Sequence, residues 1–187
     1  MTGDLVAASK FLSRVLRHRP QAIGLVLDAG GWADIDALIA AAGRHGMVLS
    51  RAHIARIVAE SDKQRFALDA AGQRIRASQG HSIAVDLGLA AVAPPAVLFH
   101  GTTAAALASI RRQGLTRQRR HHVHLSPDAQ TARKVGSRRG KPVVLSVRAG
   151  DMAGQGAAFY RSANGVWLTD AVPPQFIDFP SDEPGDP

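Results

Sequence analysis

The stretch Arg119-Arg120-His121-His122-Val123-His124-Leu125-Ser126 constrains the fold of this chain more than any other. Two arginines and three histidines lead into a short apolar alternation. Such a density of cationic and titratable groups resists burial, because each charge must be paired or solvated. Read as the entry to a strand, the run sends alternate side chains to opposite faces. His122 and His124 then share one face, and Val123 and Leu125 share the other. The apolar face belongs against a core, and the histidine face suits the wall of a cleft that holds an anion. The rest of the chain reads as two lobes around such a site.

The charge balance points the same way. Residues 111–141 carry ten Lys+Arg and a single acid, Asp128. The whole chain of 187 residues has 23 Lys+Arg against 15 Asp+Glu, a formal charge of +8 and a pI near 11.1. A surface this basic suggests a polyanionic partner, most often nucleic acid. With 45% apolar residues a packed core is expected. There are no cysteines, which excludes disulfides, thiolate catalysis and cysteine zinc sites. The opening Met1-Thr2-Gly3-Asp4 lacks the basic-then-apolar order of a secretory signal. The longest apolar patch, 87–99, is interrupted by Pro94-Pro95 and too short to span a membrane. A cytoplasmic, monomeric protein is expected.

Taken in order, residues 5–18 form a helix, with Leu5, Ala8, Phe11, Leu12, Val15 and Leu16 on one stripe. Pro20 ends it, because the residue before proline avoids helical geometry. Arg17, His18 and Arg19 therefore fall at a helix C-terminus, where the dipole favours cations. Gly30-Gly31 turns the chain. Asp34 caps a second helix with Ile35, Leu38, Ile39 and Ala42 inward, and Ser50 caps a third over 51–60. Residues 65–68 and 73–77 alternate with period two around Asp69-Ala70-Ala71-Gly72 and predict a hairpin. Three helices and a hairpin are the order of a winged helix. A boundary falls near 90–95. Beyond it the chain reads mostly as strand: 96–99 ending at His100-Gly101-Thr102, 122–125, 143–147, 165–169 and 175–177. Helices are expected over 104–113, stopped by Gly114, and over 127–135, begun near Ser126. The tail 181–187 is acidic and proline-bearing, and is expected to be unstructured.

Several chemistries can be weighed from these residues. His100, His121, His122 and His124 lack a carboxylate at ligand spacing, and the neighbouring arginines repel a cation, so metal binding is disfavoured. Neither a Gly-x-Gly-x-x-Gly turn nor a Walker lysine loop is present. Instead, His100-Gly101-Thr102 puts a histidine, a bare backbone and a hydroxyl at a strand end, and glycine lets a ligand approach the main chain. Arg17-His18, Arg65 and Arg120 each sit at the end of a predicted element. Guanidinium groups fit phosphate oxygens bidentately, and a histidine can add a hydrogen bond or move a proton.

Together the residues resemble a known family. Ser9-Lys10-Phe11-Leu12-Ser13 with Leu16-Arg17-His18 is similar to the opening of the RNA 2′-phosphotransferases, the KptA and tRNA splicing 2′-phosphotransferase family. Gly31-Trp32-Ala33, Lys63-Gln64-Arg65-Phe66, Ile75-Arg76-Ala77, Gln79-Gly80-His81-Ser82 and His100-Gly101-Thr102 extend the resemblance. Arg120-x-His122-Val123-His124-Leu125-Ser126, Gly136-Ser137-Arg138 and Gly165-Val166-Trp167-Leu168-Thr169 complete it, in order, over about nine tenths of the chain.

The resemblance implies an α+β protein in two lobes: a winged-helix-like RNA lobe, 1–92, and an ADP-ribosyltransferase-type, mostly antiparallel β lobe that binds NAD, 93–180. It also implies a reaction without metal. An internal RNA 2′-phosphate is transferred to NAD through an RNA-2′-phospho-ADP-ribose intermediate, giving 2′-OH RNA, nicotinamide and ADP-ribose 1″,2″-cyclic phosphate. The family's catalytic Arg-His pair and two further arginines map onto Arg17, His18, Arg65 and Arg120. His100, Thr102, His124 and Ser126 match its NAD-side motifs, with Gly101 between the first two. Relatives that ADP-ribosylate proteins carry a glutamate on a late strand, and the strand over 165–169 has none. Arg138 is assigned to the pyrophosphate on its charge. Arg74, Arg76, Gln79 and His81 are expected to contact RNA. The alternative is an ADP-ribosyltransferase that caps terminal phosphates of RNA or DNA.

Overall fold

A computed structural model describes residues 3–61 and 64–180. The expected tail 181–187 and Lys63 of the 63–66 match lie outside the described residues. Two compact units divide the chain, Met1–Leu89 and Ala90–Pro187. All strand pairs among the described residues are antiparallel, so the class is α+β. No described helix is long and apolar enough to cross a membrane.

In the first unit, helix α1 (Gly3–Arg17) buries Leu5, Ala8, Leu12, Val15 and Leu16. It ends where expected, and Pro20 starts a short 3-10 turn, Pro20–Ile23. Helix α2 (Ile35–Arg44) is capped by Asp34, whose carboxylate accepts the Ala37 N–H at 2.8 Å. Helix α3 (Arg51–Ala59) is capped by Ser50, whose hydroxyl accepts the His53 N–H at 3.1 Å. The hairpin forms as strands β2 (Phe66–Leu68) and β3 (Arg74–Ala77). A third strand, β1 (Ala33–Asp34), joins the other edge of β3 and gives the order β1-β3-β2. Period-two patterning cannot register a pair this short. Phe66, Ile75 and Ala77 face a core built from the three helices, with Ile54, Ile57 and Leu38 fully buried.

In the second unit, β4 (Leu98–Thr103) pairs along its whole length with β7 (Pro142–Val147), whose other edge carries β11 (Ile177–Asp178). A second sheet has the order β6-β9-β8, from Val123–Leu125, Trp167–Thr169 and Tyr160–Arg161. Paired bonds between Phe99 and Ser126 join the two sheets, with Phe99 N–H to Ser126 O at 2.9 Å and Ser126 N–H to Phe99 O at 2.7 Å. A short pair, β5 (Leu115–Thr116) with β10 (Ala171–Val172), closes one end.

Helix α4 (Ala104–Gln113) stops at Gly114, which has φ +71° and lies against the Val172 carbonyl. Helix α5 (Ala129–Gly136) starts later than the sequence suggests. Its cap is Asp128, which accepts both the Thr131 N–H and the Thr131 hydroxyl. Helix α6 (Ala149–Gly154), absent from the sequence expectations, is short and places Ala149 and Met152 in the core. Of the expected strand 175–177, residues 175 and 176 lie in a 3-10 turn, Pro174–Phe176, where Pro174 has no ladder donor, and only Ile177 is in a strand, β11.

One further expectation is corrected. His100-Gly101-Thr102 is not a strand-to-turn corner. It lies inside β4, with Gly101 opposite Val144 and Thr102 opposite Val143. The six-residue partner strand β7 holds the segment extended through Thr103.

Candidate functional site

The first unit gathers Arg17, His18 and Arg65. Arg17 is the last residue of α1, and its Nη2–H donates to the Arg65 backbone carbonyl at 3.3 Å. The guanidinium carbon stands 6.0 Å from the Phe66 ring centroid. The Arg65 carbonyl also accepts the Ser78 N–H at 2.9 Å, and the Ser78 hydroxyl donates to the Gln64 carbonyl at 2.8 Å. The chain entering β2 is thereby pinned to the chain leaving β3, beside the end of α1.

The loop 79–82 then wraps the Arg17-His18 pair. The Ser82 N–H donates to the Arg17 carbonyl at 2.9 Å, and Ser82 Oγ lies 2.9 Å from His18 Nδ1. Gly80 makes this path possible with φ +88°, and a side chain at 80 would stand about 3.8 Å from the Arg17 guanidinium. The result is a helix end, already favourable to cations, on which one arginine and one histidine are oriented by hydrogen bonds. Ser82, the last residue of the Gln79-Gly80-His81-Ser82 motif, thus holds both residues of the pair. Gln79 is half-buried in the same loop. His81, expected to touch RNA, is buried at 3% exposure, with its Nε2 beside Gly31. Its ring packs inside the first unit. Arg74 and Arg76 lie farther along β3, both packed on Trp32.

The second unit gathers His100, Thr102, His124 and Ser126. On β4, Gly101 faces α5, and a Cβ there would overlap the Ala132 carbonyl oxygen and stand 2.7 Å from its carbon. Gly136 also packs against Thr102, 3.0 Å from its carbonyl oxygen by the same measure. The missing side chain at 101 therefore makes room for a helix. By the period of a strand, His100 and Thr102 point to the opposite side. There His100 Nδ1–H donates to the His124 carbonyl at 3.1 Å, and His124 Nδ1–H donates to the His122 carbonyl at 3.0 Å. A carbonyl only accepts, so both rings carry hydrogen on Nδ1. Val123 and Leu125 are buried, as the alternation requires.

His122 packs on Tyr160, with centroids 5.4 Å apart, and its Nε2 lies 3.9 Å from Asp170 Oδ1. Burial lowers its pKa below the usual histidine value. Asp170 opposes that shift, while His121 and Arg117 reinforce it. Arg120 stands in the turn 117–120, where its N–H donates to the Arg117 carbonyl at 3.0 Å, immediately ahead of β6. Arg138 is exposed in the 3-10 turn Ser137–Arg139 that follows α5.

The geometry gives an α+β protein with an arginine-histidine pair oriented at a helix end in the first unit, and a histidine-bearing junction of two sheets in the second. Residues 4–171 match the model of the RNA 2′-phosphotransferase, Tpt1 / KptA family. The chain belongs to that family and is a transferase. It is 55% identical over 176 residues to a protein of Streptomyces coelicolor, covering 94% of this chain and 96% of that one. It is 56% identical over 177 residues to one of Acaryochloris marina, covering 95% and 98%. A Pseudomonas aeruginosa protein is 58% identical over 170 residues, covering 90% and 93%. Each is named "probable RNA 2′-phosphotransferase".

Proposed function

We propose that this protein removes an internal 2′-phosphate from RNA by transferring it to NAD. The observation that carries this reading is the oriented Arg17-His18 pair, whose guanidinium is tied to the Arg65 backbone at 3.3 Å. A guanidinium fixed in this way, with a histidine oriented beside it, meets the charge of a phosphate monoester dianion without reorganising. That dianion is already nucleophilic, so the first step needs no strong base. A phosphate oxygen attacks C1″ of the nicotinamide ribose, the C–N bond breaks, and nicotinamide leaves. In the second step the ribose 2″-hydroxyl attacks phosphorus, and the RNA 2′-oxygen departs and takes up a proton.

Arg17, Arg65 and Arg120 stabilise the charge that builds on phosphorus, and His18 orients the phosphate and assists the second step. His100, Thr102, His124 and Ser126 bind the ADP-ribose portion, with Arg138 on the pyrophosphate. The winged-helix and ADP-ribosyltransferase readings of the two units, and the absence of a metal requirement, belong to the same proposal. So does RNA contact by Arg74, Arg76 and Gln79.

The decisive experiment is incubation of the protein with a 2′-phosphorylated oligonucleotide and NAD in chelator, followed by product analysis. Free 2′-OH RNA and ADP-ribose cyclic phosphate are expected. A product that stops at ADP-ribosylated RNA supports the capping alternative. Arg120→Ala is expected to slow the second step more than the first, so that the ADP-ribosylated RNA intermediate accumulates. Equal loss of both steps, with no intermediate, removes Arg120 from that role.

A further inference from the structure

The outer face of the first unit's sheet carries a feature that the transfer chemistry does not use. On β3, Ile75 and Ala77 point into the core, so Arg74 and Arg76 point out. Both guanidinium groups lie over the Trp32 indole, at 4.5 Å from its centroid for Arg76 and 5.5 Å for Arg74.

The indole is held in place on several sides. The Trp32 backbone is anchored on Asp28: its main-chain N–H donates to Asp28 Oδ1 at 2.9 Å, and its carbonyl accepts the Asp28 N–H at 3.0 Å. A side chain at Gly30 would press within 3.2 Å of the ring, so glycine there makes room for it. Arg74 is fixed by Asp69 at 3.0 Å and Asp28 at 3.3 Å, and Arg76 Nη1 reaches the Gly30 carbonyl at 3.5 Å. Trp32 nevertheless remains partly exposed.

The strand register relates this platform to Arg65. Arg76 pairs with Ala67, and Ser78 bonds to Arg65, so Arg65 sits on the neighbouring strand opposite Ser78, on the outer face and diagonal to Arg76, about 7–8 Å away. A neighbouring nucleotide can span that separation. An aromatic ring with two guanidinium groups laid against it offers flat π and cationic surfaces, and every nucleobase has a π-face to stack on them.

We propose that Trp32, with Arg76 and Arg74 laid against it, is a stacking platform for an unpaired nucleobase flanking the 2′-phosphorylated nucleotide of the RNA substrate. The proposal rests on the role given to Arg65 above. It makes the protein a reader of one unstacked base, whose identity is secondary because stacking tolerates all four. A duplex hides its base faces, so single-stranded RNA is favoured at this position.

The test uses 2′-phosphorylated trinucleotides in which the 5′ or the 3′ flanking nucleotide carries a base or is abasic, with wild type, W32A, W32F and R76A. Removing one particular flanking base is expected to raise KM for wild type roughly 10-fold, the scale of one base–aromatic stack. W32A is expected to do the same on the complete RNA, and W32F to recover most of the loss. The two losses should not add: W32A on the abasic RNA should be no worse than about twofold beyond either alone. Additive losses, or a wild type indifferent to both flanking bases, overturn the proposal.

Should W32A fail to fold, the wild-type comparison and W32F still decide. Should wild type turn over none of these RNAs, that failure belongs to the proposed reaction. Equilibrium binding of the same RNAs, read as quenching of Trp32 fluorescence and compared with W32F, then settles the platform by itself. Base-dependent quenching supports it, and equal quenching by abasic RNA refutes it.

Discussion

At the scale of single residues, the two glycine-bearing contacts of β4 and the histidine ahead of β6 carry the sharpest expectations. Gly101 is required because α5 crosses β4 at backbone contact, with the Ala132 carbonyl where a Cβ would stand. Gly101→Ala is expected to destabilise the protein by about 3 kcal/mol or more, since neither backbone can yield cheaply. A thermal melt should show Tm lower by roughly 12 °C or more; a melt within about 2 °C of wild type contradicts the packing. His122 gives a pH dependence. Burial depresses its pKa, so above its unfolded value the ring is neutral in both states and the stability is fully present. Below about pH 6.5 the unfolded chain takes up the proton first, and stability falls until the folded ring also titrates. The Tm of His122→Gln should therefore fall less steeply from pH 7 to pH 5 than that of wild type. Parallel curves would show that the ring titrates alike in both states. The alternation at 122–125 was legible from the residues; the carbonyl partners that set the Nδ1–H tautomers of His100 and His124 were not, because they come from backbone distant in the sequence or folded back on itself.

At the scale of elements, caps and strand pairs behaved differently. Asp34 and Ser50 cap the helices expected of them, because an N-cap is a local hydrogen bond between residues three apart. The start of α5 moved from Ser126 to Asp128 for a tertiary reason: Ser126 is committed to the bridge with Phe99. Asp128→Ala is expected to cost about 1 kcal/mol, read as a shift in denaturant midpoint at constant slope, while Ser126→Ala should leave helix stability unchanged. An equal loss for both would return the cap to Ser126. The two-residue strands β1, β5, β8 and β10 left no trace in the patterning. Each exists only because a partner strand presents its free edge.

At the scale of the whole molecule, charge and composition set the kind of partner. The segment 111–141 concentrates ten basic residues, and among the described residues Arg112, Arg117, Arg119, Arg133, Lys134, Arg138 and Lys141 form no ion pair with a carboxylate. Uncompensated cations of this kind make RNA affinity salt-dependent. If about four phosphates are contacted, binding should weaken roughly 50-fold between 50 and 200 mM salt, measured as Kd against log salt. A flat response would remove the basic surface from RNA binding. The sequence by itself determined the α+β class, the main helices with two of their caps, the hairpin and the family, because each is written in short-range periodicity or in ordered motifs. Tertiary structure alone decided that Gly101 serves a helix, that His81 is buried, that Ser82 holds His18, and that Trp32 lies beneath two arginines. The physical reason is the same in all four cases: each depends on which distant backbone or side chain occupies the neighbouring space, and no local pattern of residue types encodes that occupant.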